Sequence, residues 1–207
     1  MLDVHTCSVV VPVYNSEGSL GDLVARLAQT LSKVGRDYEV ILVNDGSRDC
    51  SWETISRLAQ EFPEVRGINL MRNYGQHNAL LCGIRAAKYE VIITIDDDLQ
   101  NPPEEISTLL DKLKEGYDVV YGTPQMEQHG LWRDLASQVT KLALQSAMGA
   151  QTARNVSAFR AFRTQMREAF ANYQSPFLSI DVLLTWGSTR FASVRVRHDP
   201  RRIGTSN

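Results

Sequence analysis

Short apolar runs rich in β-branched residues alternate with stretches whose apolar positions recur every three to four residues. Residues 7–13, 38–43, 65–70, 91–95 and 119–121 each read as a strand buried on both faces. Between them, Leu20, Leu23, Val24, Leu27 and Leu31 fall on one helical stripe. Trp52, Ile55, Leu58, Ala59 and Phe62 form a second stripe, closed by Pro63. Residues 75–87 also read as a helix. Pro102-Pro103-Glu104-Glu105 opens another that runs to about Gly116, because proline suits a first turn and acids complement a helix N-terminus.

After residue 122 the pattern is less regular. It predicts a helix over 131–148 (Leu131, Leu135, Val139, Leu142, Met148), a strand over 156–162, helices over 166–173 and 177–186, and a strand over 191–197. Strands alternating with helices imply an α/β fold, a mostly parallel sheet flanked by helices. No linker, repeat or low-complexity stretch divides the chain. One domain over 1–207 is expected, with the first 122 or so residues forming one half and the remainder the other.

In such sheets ligands bind beyond the carboxyl ends of the strands. Four predicted strands end there in polar loops: Pro12-Val13-Tyr14-Asn15, Asn44-Asp45-Gly46-Ser47, Arg72-Asn73-Tyr74-Gly75, and Asp96-Asp97-Asp98-Leu99-Gln100. The last is the most informative. Like charges so close raise one another's pKa unless a cation sits among them. Continued strand alternation would point Asp96, Asp98 and Gln100 to one side and Asp97 to the other. Hard oxygen donors of this kind suit Mg²⁺ or Mn²⁺ with part of the shell left to water and phosphate. Asp45 suits a ring N–H such as uracil, thymine or guanine offers. The helix start at Gly75-Gln76-His77 offers backbone N–H groups to a phosphate.

Composition removes other classes. A net charge of −2 argues against a nucleic-acid-binding domain. Cys7, Cys50 and Cys82 have neither metal spacing nor disulfide pairing, and read as small buried or half-buried residues in a reducing compartment. No basic n-region precedes an apolar stretch at the start, and no window approaches the roughly 18 apolar residues of a membrane span. A cytoplasmic chain is expected. There is no G-x-G-x-x-G after the first strand, no G-x-x-x-x-G-K-[ST] and no G-x-S-x-G.

The ordered set of motifs resembles the family 2 glycosyltransferases of the GT-A, Rossmann-like fold. It comprises Val9-Val10-Val11-Pro12-Val13-Tyr14-Asn15, Val43-Asn44-Asp45-Gly46-Ser47-Arg48-Asp49, Arg72-Asn73-Tyr74-Gly75-Gln76-His77, Asp96-Asp97-Asp98-Leu99-Gln100-Asn101-Pro102-Pro103-Glu104 and His198-Asp199-Pro200-Arg201-Arg202-Ile203-Gly204-Thr205-Ser206-Asn207. Within the family it is most similar to the polyprenyl-phosphate branch, and the likeness spans nearly the whole chain. The resemblance implies that Pro12, Tyr14, Asn15, Asp45, Asn73, Gln76 and Asp96 hold the nucleotide sugar. Asp96, Asp98 and Gln100 would hold Mg²⁺ or Mn²⁺, and His198, Arg201 and Ser206 would form a loop meeting the diphosphate and the acceptor phosphate. The implied reaction is inverting transfer from a nucleotide-diphosphate sugar to a polyprenyl phosphate at the cytoplasmic face of a membrane. Transfer to a sugar hydroxyl and a catalytically inactive binding module are the alternatives.

The sequence departs from the family at three places. Ser16 stands where an acid usually follows the Tyr-Asn pair. Only Asp45 remains of the usual acidic pair before Gly46. Arg154-Asn155-Val156-Ser157 lacks the aspartate suggested as a base in many members, which leaves Asp181 as the remaining base candidate. A phosphate monoester is already largely ionised at neutral pH and needs no base, whereas a hydroxyl does. Because the branch pattern continues past the last motif, a catalytic domain cut from, or naturally lacking, a membrane anchor is a further expectation.

Overall fold

The computed structural model describes residues 6–34, 37–124 and 155–200. Among them, strands β1 (Thr6–Val13), β2 (Asp37–Asn44), β3 (Val65–Asn69), β4 (Val91–Thr94), β5 (Val119–Pro124), β6 (Arg160–Arg163) and β7 (Phe191–Val196) form one seven-stranded sheet. Its order is β3-β2-β1-β4-β6-β5-β7. β6 alone runs against its neighbours; every other pairing is parallel. The mostly parallel α/β expectation is borne out.

Period-two alternation explains why the strands read as continuous apolar runs. Val9, Val11 and Leu42 face one core layer, with α1 (Glu17–Val34), α2 (Ser51–Glu61) and α4 (Ile106–Lys114). Val10, Ile41 and Val43 face the other, with α3 (Gln76–Ala86) and α5 (Ile180–Gly187). All five leucines and valines of the first predicted stripe are buried on α1.

The later half differs in detail. β6 starts at Arg160, because its partner β4 ends at Thr94, which pairs with Arg160. The expected helix over 166–173 is a 3-10 segment, Thr164–Phe170, that buries Met166 and Phe170 before Pro176 interrupts the chain. The helix expected from 177 begins at Ile180. The helix expected over 131–148 lies outside the described residues. Cys7 is buried and its thiol is pushed up to about 12 by burial, but Cys50 is exposed, contrary to expectation.

Candidate active site

Strand order reverses between β1 and β4, so a crevice opens beyond their carboxyl ends. Pro12 is buried at the end of β1. Asn15 takes a left-handed conformation (φ 53), which asparagine tolerates. Its N–H donates to Ser47 Oγ (3.0 Å), and its Oδ1 accepts the Arg48 N–H (2.8 Å). The first two loops are thereby tied together.

Asp45 ties the second loop to the third. It is 3% exposed, and its Oδ1 and Oδ2 accept the N–H groups of Tyr74 (2.7 Å) and Gly75 (2.9 Å). Asn73 Oδ1 also accepts from Gly75 (3.0 Å). The Gly75 N–H, offered above to a phosphate, is therefore spent inside the protein. Gly46 (φ +66) lets the loops touch, since a Cβ there would lie 2.5 Å from the backbone of Arg72 and Asn73. Asp45 is foremost a loop anchor, and any base contact uses its remaining lone pairs.

The acidic run is not a continued strand. β4 stops at Thr94, and Leu99 adopts φ 62. This left-handed residue costs a leucine about 1–2 kcal/mol. It also drives Leu99 into the core at 2% exposure while its polar neighbours stay half-buried. Strand alternation therefore does not continue past Thr94, and a tight turn sets where each aspartate points. Asp96 Oδ1 accepts from Gln76 Nε2 (2.6 Å), which fastens it to the start of α3. Asp97 Oδ2 accepts the Tyr14 N–H (3.2 Å), and burial raises its pKa despite that bond. Asp98 Oδ1 accepts the Gln100 N–H (3.1 Å) and holds the turn's shape.

The chain after β7 returns to this turn. Asp199 N–H donates to the Gln100 carbonyl (2.8 Å), and His198 Nδ1 lies 3.4 Å from Asn101 Oδ1. Glu104 receives a bidentate pair from Arg26 (3.0 and 2.7 Å), which holds its carboxyl below the usual range. His198 is therefore placed at the acidic turn. Arg201 and Ser206 lie outside the described residues.

Sequence reasoning missed a buried polar cluster beside the crevice. Arg160 (2% exposed) pairs with Asp181, whose Oδ1 also accepts from the Tyr121 hydroxyl (3.0 Å). His77 Nδ1 lies 3.4 Å from the Ile180 N–H, and burial and Arg160 lower its pKa. Asp181 is neither a surface acid nor a helix cap; it is the counter-ion of a buried arginine. A lone charge inside each of two apolar runs, Phe159-Arg160-Ala161-Phe162 and Ile180-Asp181-Val182-Leu183, was the available signal. Asn155 Nδ2 donates to Ser193 Oγ (3.0 Å), so the place of the absent aspartate is taken by a neutral contact.

Residues 8–174 match the family described as Glycosyl transferase family 2. The chain belongs to that family. It is 37% identical over 206 residues to the undecaprenyl-phosphate 4-deoxy-4-formamido-L-arabinose transferase of Pectobacterium atrosepticum, covering 99% of this chain and 63% of that protein. It is 38% identical over 204 residues to the like-named protein of Pseudomonas aeruginosa strain PAO1, covering 98% and 60%. This glycosyltransferase family member thus spans a little under two thirds of the length of these relatives. Its fold is shared by solved structures, these two among them. One is a mannosyltransferase from Pyrobaculum calidifontis in complex with GDP-Man and Mn²⁺ (TM-score 0.67, 17% identity, 95% of this chain and 57% of that one). The other is glucosyl-3-phosphoglycerate synthase from Mycobacterium tuberculosis with Mn²⁺, UDP and glucosyl-3-phosphoglycerate (TM-score 0.67, 20% identity, 95% and 73%).

Among the described residues no three His, Cys, Asp or Glu side chains gather into a metal cage. The donors at the turn fit a leaner arrangement. Asp96 and Asp98 are half-buried carboxylates at a crevice, and Mg²⁺-type ions are commonly held by one or two carboxylates plus substrate phosphate and water.

Proposed function

We propose that this chain transfers a sugar, with inversion, from a nucleotide-diphosphate sugar to a polyprenyl phosphate. The observation that carries the proposal is the turn at residues 96–100. It is fastened to the loop after β1 through Asp97, to α3 through Asp96 and to the segment after β7 through Gln100, where the strand order reverses. The names of the relatives at 37–38% identity support the polyprenyl-phosphate acceptor.

An oxygen of the acceptor phosphate attacks the anomeric carbon. A new C–O bond forms as the bond to the nucleoside diphosphate breaks, and the diphosphate leaves with the electron pair. A divalent ion held by Asp96, Asp98 and Gln100 would supply Lewis-acid neutralisation of the departing charge. Pro12, Tyr14, Asn15, Asp45, Asn73 and Gln76 shape the nucleotide-sugar side, with Asp45 acting mainly by fixing the loop at Tyr74 and Gly75. His198 would meet the phosphates from the acidic turn, and Arg201 and Ser206 are the further residues expected to contact them. A phosphate acceptor asks no proton removal. That requirement agrees with Asn155 in place of an acid and with Asp181 committed to Arg160.

Asp98→Ala tests the reading. Transfer to a short-chain polyprenyl phosphate is expected to fall below detection, together with metal-dependent nucleotide binding. Near-normal turnover of this variant would overturn the assignment of the turn. Faster transfer to free sugars than to the lipid phosphate would overturn the acceptor.

A further inference from the structure

Four large apolar side chains stand exposed among the described residues: Met71 (98%), Phe177 (89%), Trp186 (55%) and Tyr74 (45%). They come from three separate stretches of chain, which the contacts of Asn78 and Tyr173 tie into one rim. The Asn78 side-chain amide donates to the carbonyls of both Tyr74 (2.8 Å) and Pro176 (3.1 Å), which holds the loop after β3 beside the loop carrying Phe177. The Tyr173 hydroxyl donates to the Phe177 carbonyl. The Tyr173 ring meets Trp186 edge to face, with centroids 5.8 Å apart. Met71 shares its loop with Tyr74.

Single exposed apolar residues are ordinary, but a contiguous cluster marks an interaction surface. Its composition selects the partner. Tyrosine and tryptophan prefer the interfacial layer of a bilayer, where one end of the ring is apolar and the other wet. Two cations border the cluster: Arg72 lies 4.6 Å from the centre of the Tyr74 ring, and Arg85 donates to the Tyr173 carbonyl. Aromatic residues flanked by arginines complement anionic headgroups over an acyl layer. The rim is also joined to the site. Gly75, next to Tyr74, is held by Asp45, and Gln76 holds Asp96.

We propose that this rim seats on a lipid bilayer, with Met71, Phe177, Tyr74 and Trp186 in the interfacial layer and Arg72 and Arg85 on anionic headgroups. The crevice then opens at the depth where a lipid phosphate lies. That purpose rests on the polyprenyl-phosphate reading; the surface itself does not.

Vesicle co-sedimentation tests it, using phosphatidylglycerol with phosphatidylethanolamine against phosphatidylcholine alone. The chain is expected to bind the anionic vesicles preferentially. The double substitution Met71→Asp with Phe177→Asp is expected to weaken binding by roughly tenfold or more, since each side chain loses a favourable apolar transfer. Its melting temperature and nucleoside-diphosphate binding are expected to stay unchanged. Trp186 emission should shift to the blue with vesicles, and the shift should vanish in Trp186→Phe. No vesicle binding by the parent chain would overturn the proposal. So would equal binding by the double variant, or a double variant that loses self-association and keeps its vesicle affinity. Failure of the parent chain to use a water-soluble short-chain polyprenyl phosphate would sink the acceptor reading instead, and would leave the vesicle result standing.

Discussion

At the scale of single residues, the site is assembled by side chains that hold backbone. Asp45 gives both oxygens to the Tyr74 and Gly75 amides, and Gly46 brings that loop into backbone contact with Arg72 and Asn73. Gly46→Ala combines a left-handed backbone with a 2.5 Å clash, so nucleotide affinity should fall at least roughly tenfold, measured by calorimetry. Gly75→Ala has the strain alone, because its Cβ would meet nothing within 4 Å, and a loss of about 1–3 kcal/mol of stability with nucleotide affinity little changed is expected. Asp181 separates two roles. As counter-ion to buried Arg160, its replacement by asparagine should cost about 3–5 kcal/mol in a denaturant titration. The pH profile of transfer should keep its shape. A general base would instead be revealed by a rate loss of roughly 10²–10⁴ with an altered profile.

At the scale of elements, the two ends of the sheet do different work. The carboxyl ends carry the site. The opposite end is tied by Glu39 on β2, which accepts from Ser8 on β1 (2.6 Å), Arg66 on β3 (2.8 Å) and the Lys88 amide ahead of β4 (2.9 Å). Burial pushes this carboxyl up, and the three hydrogen bonds outweigh burial, so its pKa lies below the ordinary value. A depressed carboxylate pKa contributes stability above the unfolded value of about 4.3, and that contribution is lost as pH falls through the folded value. Glu39→Gln should therefore lower stability at pH 7 by roughly 1–3 kcal/mol. The gap to the parent should narrow below about pH 4, with KM for the donor unchanged. Legibility also divides by element. α1 buries the whole of the apolar stripe that is plain in its sequence, and α2 buries Ile55 and Leu58 of its own. The Thr164–Phe170 segment buries only Met166 and Phe170, two positions that a 3-10 turn satisfies as well as an α-helix.

At the scale of the whole molecule, four loops from four strands and the segment after β7 meet at one crevice. A ligand bridging them stabilises the fold by mass action, by about 2.7 kcal/mol at a hundred times its dissociation constant. Among uridine, thymidine and guanosine diphosphates with Mn²⁺, one should raise the melting temperature clearly above the others, and chelating the metal should remove most of that shift. Equal small shifts for all three would count against a donor site.

The sequence alone determined the alternation of strands and helices, and with it a parallel sheet whose ligand loops fall at the strand ends. It also singled out Asp45, Asp96 and Asp98, because charged residues just after apolar strands fall where such sheets bind ligands. Only the tertiary structure decided what these residues touch. Asp97 reaches Tyr14, Gln76 reaches Asp96, and Arg160 reaches Asp181 across separations that no local pattern encodes. The turn at Leu99 belongs with them, since a left-handed leucine is held only where the core repays its strain. Periodicity reports which face of an element is buried; partners are fixed when the sheet order brings distant loops together.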